Sequence, residues 1–450
     1  MSELNALSES LYQDIRQLPI VSPHGHCAPE WFADDLPFAN AAELMVIPDH
    51  YVFRMLYSQG VSLAELGIGG GSDPRTVFQR FADNWHLFLG TPSRTWIEFV
   101  LQQTLGISTE LSGHSAQQIY DEIGEKLALP NFRPRALFDQ FKIEVLATTD
   151  GALDDLGHHQ AIADSKWSGR VLPTFRPDGV LDPSDPAFVE NLSALAAVSG
   201  VHISDFADYL SALRQRRQHF MCLGATATDH AIEVVHTEWL EDPEALFQRV
   251  RTGQGNLQET RQFYGHMLIE MARMSAEDGM TMQIHGGSRR NTNHAVLAKF
   301  GRDKGADIPI ATDWVRGLDA LLNRVGNSTN FKLILFTLDE TTYARELAPM
   351  SGHWPCLRIG PPWWFHDSAA GIARYFDQVV ETAGYHNLAG FNDDTRAFLS
   401  IPARHDLWRQ VVAQHLAGQV AKGYFDMSDA GRLAKLLATD LARDAYGLDT

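Results

Sequence analysis

Residues 280–287 read MTMQIHGG, a short β-rich run that ends in a histidine and two glycines. Runs of the same kind recur along the chain. Ile20 to Pro23 leads into His24, and IEVLATTD (143–150), GRVLPTFRP (169–177) and GATATDHAI (224–232) precede MTMQIHGG. FKLILFTLD (331–339), CLRIGPPWW (356–364) and NLAGFNDDT (387–395) follow it. Most are nearly continuous apolar segments, the pattern of strands covered on both faces. After the first, helix-like stretches with apolar spacings of three and four separate most of them. Strand alternating with helix predicts a parallel sheet. Eight such units over 450 residues predict an α/β fold, a closed (β/α)8 TIM-like barrel.

The alternation is interrupted between the first and second runs. Residues 1–27 hold the N-terminal segment and the first strand, and 28–142 read as a mostly helical insert, with helical periodicity around Trp96, Phe99, Val100 and Leu101–Leu105. Within the insert, GIGGGSD (67–73) lacks the Gly-Lys-Ser/Thr that a phosphate-binding Walker loop requires. Residues 143–401 supply the rest of the barrel and 402–450 form C-terminal helices. There, Ser428 is the expected N-cap, and Leu433, Leu436, Leu437 and Leu441 form a packing stripe.

Acidic residues outnumber basic ones, 56 to 37, for a net charge of −19. That balance argues against nucleic acid or an anionic membrane as partner. Any anionic substrate must be met by local arginines against the global field. Cys27, Cys222 and Cys356 are few and dispersed, which fits a reducing cytoplasm. The first residues lack the basic start and apolar stretch of a signal peptide, and no apolar run is long enough to span a bilayer. The C-terminal helices could pack at home or on a second copy, leaving a homo-oligomer open.

His24-Gly25-His26 ends the first strand. In an extended chain residues i and i+2 project to one face, so both imidazoles can grip one divalent metal; the bland alternative is two surface or polar-core histidines. In a barrel, this rim is where active sites lie. His285 at the end of the fifth run and Asp394 at the end of the eighth complete a nitrogen/oxygen donor set suited to zinc or a similar ion. Arg176, Arg290 and Arg396 gather at the same strand ends, either as surface ion pairs or as carboxylate-binding forks. From the insert, His50, Tyr51 and Arg54 could reach over the barrel mouth. Trp363 and Trp364 read first as a wall.

Together these segments resemble the uronate isomerase family (glucuronate/galacturonate isomerases) of the amidohydrolase superfamily. The resemblance rests on His24-x-His26, Asp49-His50-Tyr51 with Arg54, Thr148-Thr149-Asp150 with Asp154-Asp155, LPTFRPD (172–178) and Asp229-His230. It continues through MQIHGGSRRNTN (282–293), Trp363-Trp364-Phe365, Asp394-Thr395-Arg396-Ala397-Phe398-Leu399-Ser400 and Arg404-His405. It implies one divalent metal, commonly zinc, and aldose–ketose isomerisation of a small-molecule uronate by proton transfer between C2 and C1. His24, His26 and Asp394 are the implied metal residues, with His285 a further site residue. Arg176, Arg396, His50, Tyr51 and Trp363 are the implied substrate contacts, and Asp394, Tyr51, Arg396 and His285 the implied catalytic groups. The sequence departs from the family pattern at Ser22-Pro23, Cys27, Arg358 with Pro361-Pro362, and Asn392-Asp393. Arg358 could add a carboxylate contact. The base is Tyr51 or Asp394, and a hydride shift is the competing path. A mononuclear hydrolase or deaminase of the same superfamily is the alternative reading.

Overall fold

The computed structural model describes residues 3–448. Its strands are β1 (Ile20–Ser22), β2 (Ile143–Ala147), β3 (Asp150–Gly151), β4 (Val171–Leu172), β5 (Phe175–Arg176), β6 (Ala227–Ile232), β7 (Thr281–Gly286), β8 (Ser288–Arg289), β9 (Ile308–Pro309), β10 (Leu333–Thr337) and β11 (Leu357–Ile359). Two parallel sheets run β1-β2-β4 and β11-β10-β7-β6-β5-β3. They share chain: β2 passes into β3 through Thr148-Thr149, and β4 into β5 through Pro173-Thr174. Hydrogen bonds from Thr148 N–H to Leu172 O (2.9 Å) and Asp150 N–H to Thr174 O (3.0 Å) carry the pairing across these joints. Seven of the eight expected runs are therefore paired strands in the expected order. The eighth, 387–395, makes a single parallel bridge between Leu388 and Ile359, and beyond it Thr395 O accepts the His26 N–H at 3.0 Å. The two-residue antiparallel pair β8–β9 was not foreseen.

Parallel neighbours require crossovers, and helices supply them. Phe206–Cys222 lies between β5 and β6, Leu257–Asp278 between β6 and β7, and Ala369–Ala383 follows β11. The faces they bury join strand residues such as Phe175, Met282 and Leu335 in one apolar cluster.

Between β1 and β2 the chain is helical, including Pro29–Asp34, His50–Ser58, Pro74–Asp83, Pro92–Phe99, Ala116–Leu127 and Pro134–Gln140. Several helices start as their sequences dictate. Asp73 and Thr91 accept the N–H groups of Thr76 and Arg94, each followed by a proline at the first helical position. These helices share a second apolar cluster, which reaches Ile20, Ile143, Leu146 and Val171. That contact holds the segment against β1, β2 and β4.

The C-terminal helices are Ile401–Ala421, Met427–Lys435 and Leu441–Tyr446. The cap of the second is Asp426 rather than Ser428; its carboxylate accepts the Asp429 N–H at 2.9 Å. The third helix brings Ala442, Ala445 and Tyr446 against Val21, Val145, Ala227, Ile334 and Phe336, which belong to β1, β2, β6 and β10. Tyr446 Oη donates to Gln283 Oε1 at 3.0 Å, and Thr281 Oγ1, at the start of β7, donates to Ala445 O at 2.8 Å. The helix thus floors the sheet at the end opposite His285. Gly390 is required there: its φ is +78°, and a Cβ would stand 2.6 Å from Ala442 N.

Candidate active site

The carboxyl ends of the parallel strands deliver the polar side chains to one pocket. It is lined by His24 and His26 beyond β1, Arg176 of β5, Asp229 of β6, His285 of β7, and Asp394 and Arg396 of the eighth run. His50 and Tyr51 enter from the helix His50–Ser58, which Asp49 starts by accepting the Tyr51 N–H at 2.9 Å. Trp363 and Trp364 form a wall.

His24 Nε2 and His26 Nε2 converge on Asp394 Oδ1, at 3.3 and 3.0 Å. His285 stacks on Phe336 at 4.1 Å and on His24 at 4.7 Å, with Trp363 edge-on at 4.8 Å. Its Nδ1 lies 2.6 Å from Asp229 Oδ1. With that N–H donated to the carboxylate, Nε2 carries the lone pair, and it is buried without a hydrogen-bond partner. His24, His26 and Asp394 form one set able to hold a metal ion; His24, Asp229 and His285 form another. Burial of oriented imidazoles around a carboxylate, with a nitrogen lone pair left unspent, is the donor chemistry of a divalent-metal site.

The charges are held in place by their neighbours. Burial pushes Asp394 up, but hydrogen bonds from His24 and His26 outweigh it and keep the carboxyl well below its ordinary range. Asp229 is likewise opposed by burial and kept ionised by His285 and Arg176, whose Nη1 lies 3.4 Å from Asp229 Oδ2. Burial lowers His285 and His26, and burial followed by Arg396 lowers His50 to about 3. The lone pairs of His26, His50 and His285 are therefore available at neutral pH; at His24 burial is likewise opposed to the charged form, but the hydrogen bond and charge of Asp394 outweigh it and raise the imidazole. Asp394 holds φ +40° and Trp364 φ +52°. Left-handed backbone at a tryptophan costs energy, and such strain gathers where geometry serves a site.

Tyr51 is held differently from the expectation. Its hydroxyl is 2.8 Å from Asp367 Oδ2 and 3.0 Å from Trp364 O, and burial with the Asp367 charge pushes the phenol well above its ordinary value. Tyr51 is a protonated donor here, not a lowered-pKa base. Arg404 completes the support, donating to Asp367 Oδ2 at 2.8 Å and stacking 3.6 Å over Trp96. Burial raises Asp367 to about 6 against the pull of Arg404 and Tyr51.

Arg358 does not reach the pocket. It stands on β11, and its Nη1 donates to the carbonyls of Pro355 and Leu357 at the strand's opening end, so the expected carboxylate contact is corrected. Asp303 and Asp307, absent from the sequence expectation, also line the pocket. They lie in GRDKGAD (301–307), which has no periodicity to mark it. Asp229 could have been found, because its run ends at the same rim as MTMQIHGG.

The glucuronate isomerase family profile matches residues 2–444. This chain belongs to that family. It is 52% identical over 448 residues to a uronate isomerase of Rhizorhabdus wittichii, covering 99% of this chain and 96% of that protein. The crystal structure of glucuronate isomerase from Caulobacter crescentus superposes with a TM-score of 0.98 at 47% identity, covering 100% of this chain and 96% of that one. The uronate isomerase of Thermotoga maritima gives 0.93 at 26% identity, covering 98% and 97%. Family membership so established rests on the whole chain, insert and C-terminal helices included.

Beside the pocket, Asp150 Oδ2 accepts from Thr148 Oγ1 at 2.7 Å and lies 3.8 Å from His159 Nε2. Burial raises Asp150 to about 7, with Asp154 adding and the Thr148 hydrogen bond opposing; His159 falls to about 4 and stays neutral. In the unfolded chain this carboxyl releases its proton near pH 4, but the folded chain retains it to about pH 7. Native stability from this group is thus full below pH 4 and is lost as pH rises through 7, by roughly 3–5 kcal/mol at most. Asp150→Asn is expected to flatten the fall in denaturation midpoint between pH 4 and 8, measured by urea titration at each pH.

Proposed function

We propose that the protein interconverts an aldose hexuronate and its ketose, such as D-glucuronate and D-fructuronate or D-galacturonate and D-tagaturonate, with one divalent metal ion, zinc or a close relative. The supporting observation is the meeting of His24, His26 and Asp394 in a pocket that also holds three arginines. The lining carries four carboxylates against three guanidinium groups, so a monoanionic sugar acid gains from an added dication. His24, His26 and Asp394 would hold it. When bound, the ion supplies Lewis acidity toward the sugar oxygens.

The residues of the chain do the rest. Arg176 takes the distal carboxylate and so fixes which carbons lie near Asp394. Asp394, ionised at neutral pH, moves the proton from C2 to C1. Arg396 supports the oxyanion charge that develops, and the Tyr51 hydroxyl, its proton donated in a hydrogen bond to Asp367, offers its oxygen lone pairs to a sugar hydroxyl. His285, oriented by Asp229, presents Nε2 to the same space. The tryptophans and the helical segment 28–142 act as wall and cap over the strand ends. The scaffold is read as a closed (β/α)8 barrel, with 387–395 as its eighth stave beside β1. Cysteines with no disulfide among the described residues suit a cytoplasmic enzyme. Hydrolysis or deamination is not favoured, since the relatives of 26–52% identity, matched over nearly the full length, are isomerases.

The test is a panel of hexuronates assayed for ketose formation in deuterium oxide, with metal content measured on the same preparation. Turnover with deuterium at C1 and about one metal per chain is expected. Absence of ketose from every hexuronate would overturn the reading.

A further inference from the structure

We propose that Asp367, acting through Tyr51, takes up the proton of the sugar's C2 hydroxyl during isomerisation and returns it to the oxygen on C1. This deepens the hexuronate reading and rests on it.

Aldose–ketose exchange moves two protons. One passes between carbons, the task of Asp394. The other leaves the C2 hydroxyl as that oxygen becomes a carbonyl, and arrives on the C1 oxygen as the old carbonyl becomes a hydroxyl. Tyr51 lines the pocket, and its hydroxyl donates to Asp367 Oδ2 at 2.8 Å, which leaves oxygen lone pairs to accept from the sugar. A phenol that accepts a proton must surrender its own, and Asp367 is the acceptor already in line.

Asp367 follows the turn Trp364–His366 behind the tryptophan wall, and its side chain is only 10% exposed. The side-chain hydrogen bonds it receives both fall on Oδ2, from Tyr51 and from Arg404 Nη1 at 2.8 Å; Oδ1 is buried without a partner. A buried carboxylate so unevenly satisfied is ready to take a proton. Burial accordingly raises it to about 6. The charged and titratable groups around it are Arg404 on the helix Ile401–Ala421, Tyr51 and Arg54 on His50–Ser58, and Asp394. Arg404 keeps the carboxylate ionised at rest. Its guanidinium is fixed by the stack on Trp96 and by bonds to Ser400 Oγ (3.2 Å) and Asp393 O (3.3 Å). Trp364 O, 3.0 Å from the Tyr51 hydroxyl, gives the phenol a second acceptor once Asp367 is protonated.

In the transfer, the sugar O–H breaks as a Tyr51 O–H forms, and the former Tyr51 O–H breaks as an Asp367 O–H forms. Tyrosine stays neutral, so no phenolate has to form where burial and Asp367 disfavour it. The negative charge of Asp367 moves to the sugar oxygens, beside Arg396, and moves back when the proton is returned to the C1 oxygen.

Asp367→Asn keeps the shape of the side chain and an oxygen for Arg404, but it takes no proton. The metal-loaded parent, Asp367→Asn, Tyr51→Phe and the double variant are compared across pH with the hexuronate the parent turns over. The parent's kcat/KM is expected to fall below about pH 6, where Asp367 already holds a proton. Asp367→Asn should lower kcat about 100-fold with KM within about threefold, and should lose that acid limb. Tyr51→Phe should lose the limb too, and decides the question if the asparagine variant fails to fold. The double variant should be no slower than the slower single, as groups that act as a unit behave. A merely structural role would leave the limb in place. A kcat for Asp367→Asn within about threefold of the parent overturns the relay, as does an acid limb that persists in either variant or losses that multiply in the double variant. A parent that isomerises no hexuronate overturns the functional reading and the relay with it; an active parent with unaffected variants overturns the relay alone.

Discussion

Asp394→Asn is expected to abolish metal retention and to lower kcat/KM by more than about 100-fold, since even changes to residues that only support a ligand commonly cost 10–100-fold. The substitution keeps the side chain's size, and asparagine tolerates the +40° φ of this residue as aspartate does. The fold should therefore persist, with circular dichroism and thermal midpoint near those of the parent without metal. What is lost is the negative charge on which His24 Nε2 and His26 Nε2 converge at 3.3 and 3.0 Å. Metal analysis and steady-state kinetics on one preparation check both halves. Retained metal with lost turnover would confine Asp394 to proton transfer. Full activity would remove it from the site altogether.

Arg176→Ala is expected to raise KM strongly while kcat falls less. A guanidinium facing a carboxylate contributes hydrogen bonds of about 1.5–3 kcal/mol each, so loss of a fork costs on the order of 100-fold in kcat/KM. The structure adds a second consequence. Arg176 Nε is 2.9 Å from Asp178 Oδ2 and Nη1 is 3.4 Å from Asp229 Oδ2, so alanine leaves two enclosed acids without their cation. Asp229 in turn orients His285 at 2.6 Å. Arg176→Lys separates the effects: it restores charge beside Asp229 but not the planar fork. Lysine should recover stability in a thermal melt and recover KM only in part. Unchanged hexuronate turnover in Arg176→Ala would sink the carboxylate assignment.

The parts legible in sequence were those that repeat or that end a strand. Apolar runs ending in polar residues located β1, β6, β7 and β10, and the His-x-His spacing marked His24 and His26. Asp394, more than 360 residues away, could be joined to them only through a topology that places successive strand ends side by side. What stayed hidden depends on side-chain direction or on irregular loops. Arg358 sits on a correctly located strand but turns its guanidinium to the wrong end, and nothing in CLRIGPPWW distinguishes the two. Tyr51 is in the pocket, yet its protonation is set by burial and by the charge of Asp367, 316 residues later in the chain. Asp303 and Asp307 lie in a loop with no pattern to read.

The floor formed by Leu441–Tyr446 has a bearing on biosynthesis. A ribosome releases β1 and its two imidazoles early, but the phenol that plugs Gln283 and the alanines that cover Val21, Val145 and Ile334 emerge some 400 residues later. Until then the undersides of these strands stand open, adhesive surface that folding factors must shield. Nascent chains halted before residue 441 are accordingly expected to be substrates for degradation.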